Sequence, residues 1–176
     1  MRGRRLAGLW PVAAALGLLL AGCAKPPAPG ASLLAAPGKM ASLVLFEPAR
    51  LTGEWVVVAS GVPGCAGARQ GWAFDGKAGY RLSGVDCSGQ VPQKLDAQLA
   101  LTGPGARMAA RGGAFGGAPV WLLWADADAR VAVLGTPGGT FALILARPDV
   151  AARGDLIAAA HEVLAFNGYD PAKIGR

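Results

Sequence analysis

Leu51-Thr52-Gly53-Glu54-Trp55-Val56-Val57-Val58-Ala59-Ser60 is the stretch on which the reading of this chain turns. A tryptophan followed by three valines favours an extended strand, because aromatic and β-branched side chains pack well on a pleated surface. Similar runs follow it. Gln70 to Phe74 and Tyr80 to Val85 flank Asp75-Gly76-Lys77, and Lys94 to Thr102 and Ala106 to Arg111 flank Gly103-Pro104-Gly105. Val120 to Trp124 and Arg130 to Leu134 flank a turn with Asp126 and Asp128, and Phe141 to Arg147 follows Pro137-Gly138-Gly139. Each connector is built from residues that favour tight turns. Eight short strands joined in sequence predict an all-β, up-and-down antiparallel arrangement, and closing it into a barrel removes edges that would invite aggregation. After Pro148 the period changes. Leu156, Ile157, Ala160, Val163 and Leu164 recur at helical spacing, with Asp155 as the expected N-cap and Asn167-Gly168 as the stop. That helix is expected to pack outside the barrel.

The rest of the chain sets bounds on this domain. It has 176 residues, 53% of them hydrophobic and 16% charged, which describes one core and not a disordered chain. The formal charge of +6 includes Arg2, Arg4 and Arg5. These sit in a basic, then apolar opening that reads as an export signal over residues 1–22. The apolar run, Leu6 to Leu20, is interrupted by Pro11 and is short of the roughly 20 residues a transmembrane helix requires. Without those arginines, 14 basic residues face 11 acidic ones with no basic cluster, so nucleic acid is not an expected partner.

The signal ends in Leu20-Ala21-Gly22-Cys23. This resembles the lipobox of bacterial lipoproteins, which implies that the Cys23 thiol receives diacylglycerol and becomes the new N-terminus with palmitate-class chains. The alternative is an ordinary secretory signal with an incidental cysteine; agreement at all four positions favours acylation. Several chains at about 0.8 kcal/mol per buried methylene give near-permanent anchoring. Ala24 after the cysteine resembles lipoproteins passed to the outer membrane, on its periplasmic face. Residues 23–45, rich in Pro, Gly and Ala, are expected to form a tether, with the barrel domain over 46–176.

Three stretches in order resemble the lipocalins, and specifically their bacterial outer-membrane lipoprotein branch. Gly53-Glu54-Trp55 is similar to the family's Gly-x-Trp. Ala125-Asp126-Ala127-Asp128 through Val131 to Gly135 resembles its Thr-Asp-Tyr hairpin, with alanines in place of threonine and tyrosine. Leu143 to Pro148 resembles the last-strand motif ending in arginine, Arg147. The tail from Asn167 to Ile174 resembles the ending of the bacterial branch. The resemblance implies an eight-stranded lipocalin barrel with Trp55 and Arg147 meeting at its closed end, as a cation–π pair of structural value.

If Arg147 points inward, alternation places Leu145, Leu143 and Phe141 inward, Trp55 brings Val57 and Ala59, and the sixth strand contributes Val120, Leu122 and Trp124. These apolar side chains suit a fatty acid or lysophospholipid, held for storage, transport or repair of the envelope. A filled barrel serving as a structural or protein-interaction module stays open beside this. Cys65 and Cys87, an even pair in an oxidising compartment, are expected to form a disulfide. No cofactor, metal site or enzymatic activity is expected: His161, the single histidine, lies on the outer helix, and turn chemistry accounts for Asp126 and Asp128. Gly112-Gly113-Ala114-Phe115-Gly116-Gly117 lacks the lysine and following helix of a phosphate loop and reads as a flexible loop beside the barrel.

Overall fold

The computed structural model describes residues 32–36 and 38–175. The signal segment, Cys23 and the first part of the expected tether lie outside the described residues. Eight strands, β1 (Gly53–Ser60), β2 (Arg69–Phe74), β3 (Gly79–Asp86), β4 (Gln93–Leu101), β5 (Arg107–Arg111), β6 (Pro119–Ala125), β7 (Val131–Gly135) and β8 (Ala142–Ala146), pair in sequence order. β8 closes on β1 with Val56 opposite Ala146 and Val57 opposite Leu145, so every strand has two antiparallel neighbours. One helix, α1 (Gly154–Phe166), packs on β6, β7 and β8. The expected barrel and outer helix are both present.

Two apolar clusters follow from this geometry. Inside the barrel lie Trp55, Val57, Trp72, Leu82, Leu122 and Leu143 among others; between its wall and α1 lie Ile144, Val133, Leu123, Ala160 and Leu164. β7 and β8 are buried on both faces, which is why Val131–Gly135 and Ala142–Ala146 read as continuous apolar runs. The helix begins one residue before its expected cap. Arg153 holds the N-cap position without a side-chain cap bond, and Asp155 lies in the first turn, held by Arg153 at 2.8 and 2.9 Å. At the other end Gly168, at φ +88°, ends the helix as expected.

Two bulges alter the inward set. In β1 the register to β8 slips between Val57 and Ala59, and in β6 the register to β7 slips between Leu122 and Trp124. An extra residue on one strand reverses the alternation beyond it. Ala59 therefore joins the cluster under α1, and Ser60 pairs with the inward Leu143. Trp124, opposite the outward Val133, also packs against the outer cluster, correcting its expected place in the interior.

The segment expected to be a free tether is docked from Ser32 onward. Leu33 N–H donates to Gly139 O (2.7 Å), Ala35 N–H to Gly168 O (2.9 Å) and Ala41 N–H to Asn167 Oδ1 (3.0 Å). Leu43 then ties β5 to β6, donating to Leu122 O (2.8 Å) and accepting from Ala106 N–H (2.9 Å). Residues from Ser32 to Leu43 are thus bonded into the folded unit, which does not begin at 46.

The strap ends at a short 3-10 turn, Pro48–Leu51, which closes the near end of the barrel. Trp55 Nε1 donates to Leu51 O (2.8 Å), and the Arg147 guanidinium lies 3.8 Å from the indole centroid. Arg147 also donates to Arg50 O (2.8 Å), Glu54 O (3.2 Å) and Ala129 O (3.2 Å), which joins three connections through one planar fork. Gly53 is required here. Its φ is +122°, and a Cβ on it would stand 2.7 Å from Arg147 Nη1. Beside it Asp126 accepts from the N–H groups of Arg130 and Val131 and from Arg130 Nε, which orders the β6–β7 turn.

Replacing Arg147 by Met should leave three carbonyls without their donor and cost about 2–4 kcal/mol, read as a fall in urea midpoint; Arg147→Lys should recover less than half, lacking the fork. Burial alone would raise the Asp126 carboxyl, but the bonds from Val131 and Arg130 outweigh it and hold it below the ordinary carboxylate range. Its stabilisation is therefore full above that range and is lost as the pH falls through the lowered folded value. Asp126→Asn should flatten the acid limb of a stability–pH profile, and an unchanged limb would remove Asp126 as its cause.

Candidate ligand-binding site

The strands place their inward side chains in one packed apolar interior. Val57, Val120, Leu122, Phe141, Leu143 and Leu145 of the expected set all face it, each at most 1% exposed. Trp72, Tyr80, Leu82, Leu95, Leu99 and Met108 complete the wall, and alternation on β2 to β5 could have found them. The polar atoms in this wall are engaged. Gln70 donates to Val85 O (2.8 Å) and accepts from Trp72 Nε1 (3.2 Å), and Tyr80 donates to Pro48 O (2.7 Å). Burial raises the Tyr80 hydroxyl well above its ordinary range, so it stays a neutral donor. Among the described residues, no buried side-chain polar atom is left without a partner.

The far end is the mouth, where the β1–β2, β3–β4, β5–β6 and β7–β8 connections meet. Cys65 and Cys87 form the expected disulfide, joining the first two of these connections. Ser60 Oγ donates to Cys87 O (3.3 Å) and accepts from Val62 N–H (3.0 Å), so the inward turn made by the β1 bulge braces the same corner. A depression of about 250 Å³, lined by Leu33, Val62, Gln90, Thr140 and Phe141 among others, marks the outside of this end.

Phe115 closes the mouth. It is 1% exposed, packs in the interior cluster and stands 5.5 Å from the Phe141 ring. Its φ is +56°, a left-handed conformation that is costly for an aromatic residue, and Gly112, Gly113, Gly116 and Gly117 around it also have positive φ. Two backbone bonds hold it: Phe115 N–H donates to Asp86 Oδ2 (3.0 Å) and Phe115 O accepts from Ala118 N–H (3.0 Å), while Asp86 Oδ1 receives Ser88 N–H (2.9 Å) and Ser88 Oγ (2.6 Å). The glycine pattern was the one signal for this loop in the sequence, and it did not reveal that the phenylalanine turns inward.

Other open depressions, of about 600 and 510 Å³, lie on the outer wall around β2, β3 and β4, with Arg81 common to both. Among the described residues there is no group of three or more metal-ligating side chains. His161 lies on α1 and outside the chamber, as expected. Tyr169, the aromatic of the tail from Asn167 to Ile174, seals the β7–β8 connection from outside. Its hydroxyl accepts from Thr136 N–H (2.8 Å) and is shared as donor between the carbonyls of Thr136 (3.0 Å) and Phe141 (2.9 Å), with burial pushing it up to about 12.

Among solved structures, the chain is similar to apocrustacyanin C1, with 16% identity, a TM-score of 0.58 and coverage of 78% of this chain and 87% of that one. Lobster apocrustacyanin A1 gives 17%, 0.53, 71% and 75%, and insecticyanin from the tobacco hornworm Manduca sexta gives 17%, 0.52, 79% and 85%. At these identities the likeness is one of fold. No protein-family model and no curated protein sequence matches the chain.

Removing the disulfide as Cys65→Ala with Cys87→Ala releases a loop closed over 22 residues. The expected cost is about 3 kcal/mol in chemical unfolding, and hydrogen exchange should quicken in the mouth connections before the closed end. Equal quickening at both ends would argue against a local clamp.

Proposed function

We propose that this lipocalin-fold chain is a binding protein for a hydrophobic small molecule, a fatty acid or lysophospholipid, and that Cys23 acylation anchors it to the outer membrane on the periplasmic side for storage, transport or repair of envelope lipid. The observation that carries the binding reading is the strained Phe115 packed into the apolar barrel interior from a loop of four glycines. Binding requires Phe115 to swing out and an acyl chain to take its place. Exposing one phenylalanine costs about 2–3 kcal/mol, and each methylene buried returns about 0.8 kcal/mol, so four methylenes offset the opening. Relief of the left-handed backbone lowers that requirement further. Binding is favoured over catalysis because the wall offers a ligand apolar surface, with its polar atoms already engaged.

A second reading, the filled barrel as an envelope interaction module, is favoured by the interior side chains packing as one continuous cluster. Titration of residues 32–176 with a fluorescent fatty acid separates the two. Saturable micromolar binding, tightened several-fold by Phe115→Ala and unchanged by Trp124→Ser on the outer wall, is the expected result. A folded protein that takes up no lipid in either form would favour the interaction module.

A further inference from the structure

The two ends of the barrel differ in charge. The mouth connections, residues 61–68, 87–92, 112–118 and 136–141, contain no Asp, Glu, Lys, Arg or His. In a chain in which 16% of residues are charged, that is 27 loop positions without one. The opposite end carries Glu47, Arg50, Asp75, Lys77, Asp126 and Asp128 in its connections. The charges that reach these bare connections come from the tail, where Asp170 and Lys173 stand 4.0 Å apart and pair with each other. Of the charges at the mouth-side strand ends, Asp86 is turned to Ser88 and to the Phe115 amide and Arg69 is paired with Glu54 (3.4 Å), which leaves Arg111 beside the uncharged loops. Val91, 58% exposed, lies in the 87–92 connection.

The chain also enters the fold at this end. Ser32 and Leu33 are tied to the β7–β8 connection and the tail: Leu33 N–H to Gly139 O (2.7 Å), Asp170 N–H to Leu33 O (2.9 Å) and Lys173 Nζ to Ser32 O (3.2 Å). The fit is close. A Cβ on Gly139 would stand 2.3 Å from Leu34 Cγ, and one on Gly61 would stand 2.6 Å from Leu33 Cδ1. From Ser32 back to Cys23 is nine residues of chain, which span at most about 30 Å when fully extended. An eight-residue strand is itself about 26 Å long. An anchor at Cys23 therefore leaves the mouth free to rest on the membrane, and allows the charged end to do so only with the tether drawn out along the whole barrel.

We propose that the mouth end of the barrel rests on the bilayer, so that an acyl chain passes between membrane and chamber without crossing water. This rests on the reading of Cys23 as a lipid anchor. Uncharged loops approach the headgroup layer without desolvating ions, Val91 meets it with an apolar side chain, and Arg111 faces anionic lipid at its margin.

The test uses the full-length lipidated protein in vesicles of phosphatidylethanolamine and phosphatidylglycerol. A photoreactive p-benzoylphenylalanine replaces either Val91 at the mouth or Lys77 at the charged end; both positions are exposed, and circular dichroism checks that each variant folds. Illumination should give at least tenfold more lipid adduct at position 91 than at position 77. Equal adducts, more at 77, or adduct at neither position would overturn the orientation. Mass measurement of the Cys23 peptide in the same samples reads the anchor separately. An acylated peptide with the wrong adduct pattern leaves the anchor standing, whereas an unacylated Cys23 in protein that does not float with vesicles overturns the anchor and the orientation together.

Discussion

Arg147 stacked on Trp55 is the contact on which the rest of the molecule depends. A closed barrel needs its first and last strands to meet in one register, and this pair joins residues 92 apart at the end where those strands pair. The guanidinium also collects the carbonyls of Arg50, Glu54 and Ala129, so the 3-10 turn, the start of β1 and the β6–β7 turn are all held by one side chain. Burial pulls the Arg147 guanidinium below its ordinary range, yet that range lies so far above neutrality that the charge stays in place. One end of the barrel is thereby shut, and any exchange with the chamber is left to the other.

The mouth is held by weaker means. A disulfide pins one side, while the opposite side is a glycine-rich loop whose phenylalanine is kept in a costly backbone conformation by ring packing and by backbone bonds to Asp86 and Ala118. This contrast sets a base braced by one many-bonded side chain against a glycine-rich loop at the other end. The charge distribution follows the same axis, with ions at the base and none in the mouth connections. Under the proposed function, ligand access and orientation at a membrane follow that same axis.

Much of this was legible in the sequence, because it rests on local signals. Turn residues between β-rich runs marked all eight strands to within a few residues, and the change to helical period after Pro148 marked α1. Inward positions on β8 were correct because alternation runs unbroken from Phe141 to Leu145. Trp124 and Ala59 were misplaced because each follows a bulge, and a bulge leaves no mark in composition while reversing every side chain beyond it. The strap was misread for a related reason. Pro, Gly and Ala describe a flexible chain in isolation, and only partners far away in sequence, such as Gly139, Asn167 and Leu122, give its backbone groups fixed bonds.

The sequence by itself determined the strand order, the outer helix and the disulfide pair, since each depends on spacing along the chain or on a residue type with one physical use, while the meeting of tryptophan with arginine was what the resemblance to the lipocalins implied. Only the tertiary structure decided which way Trp124, Ala59 and Phe115 face, where the strap is seated and that the uncharged connections share one end. Those outcomes depend on register slips and on contacts between distant segments, whose free energy belongs to the assembled barrel and to no segment alone.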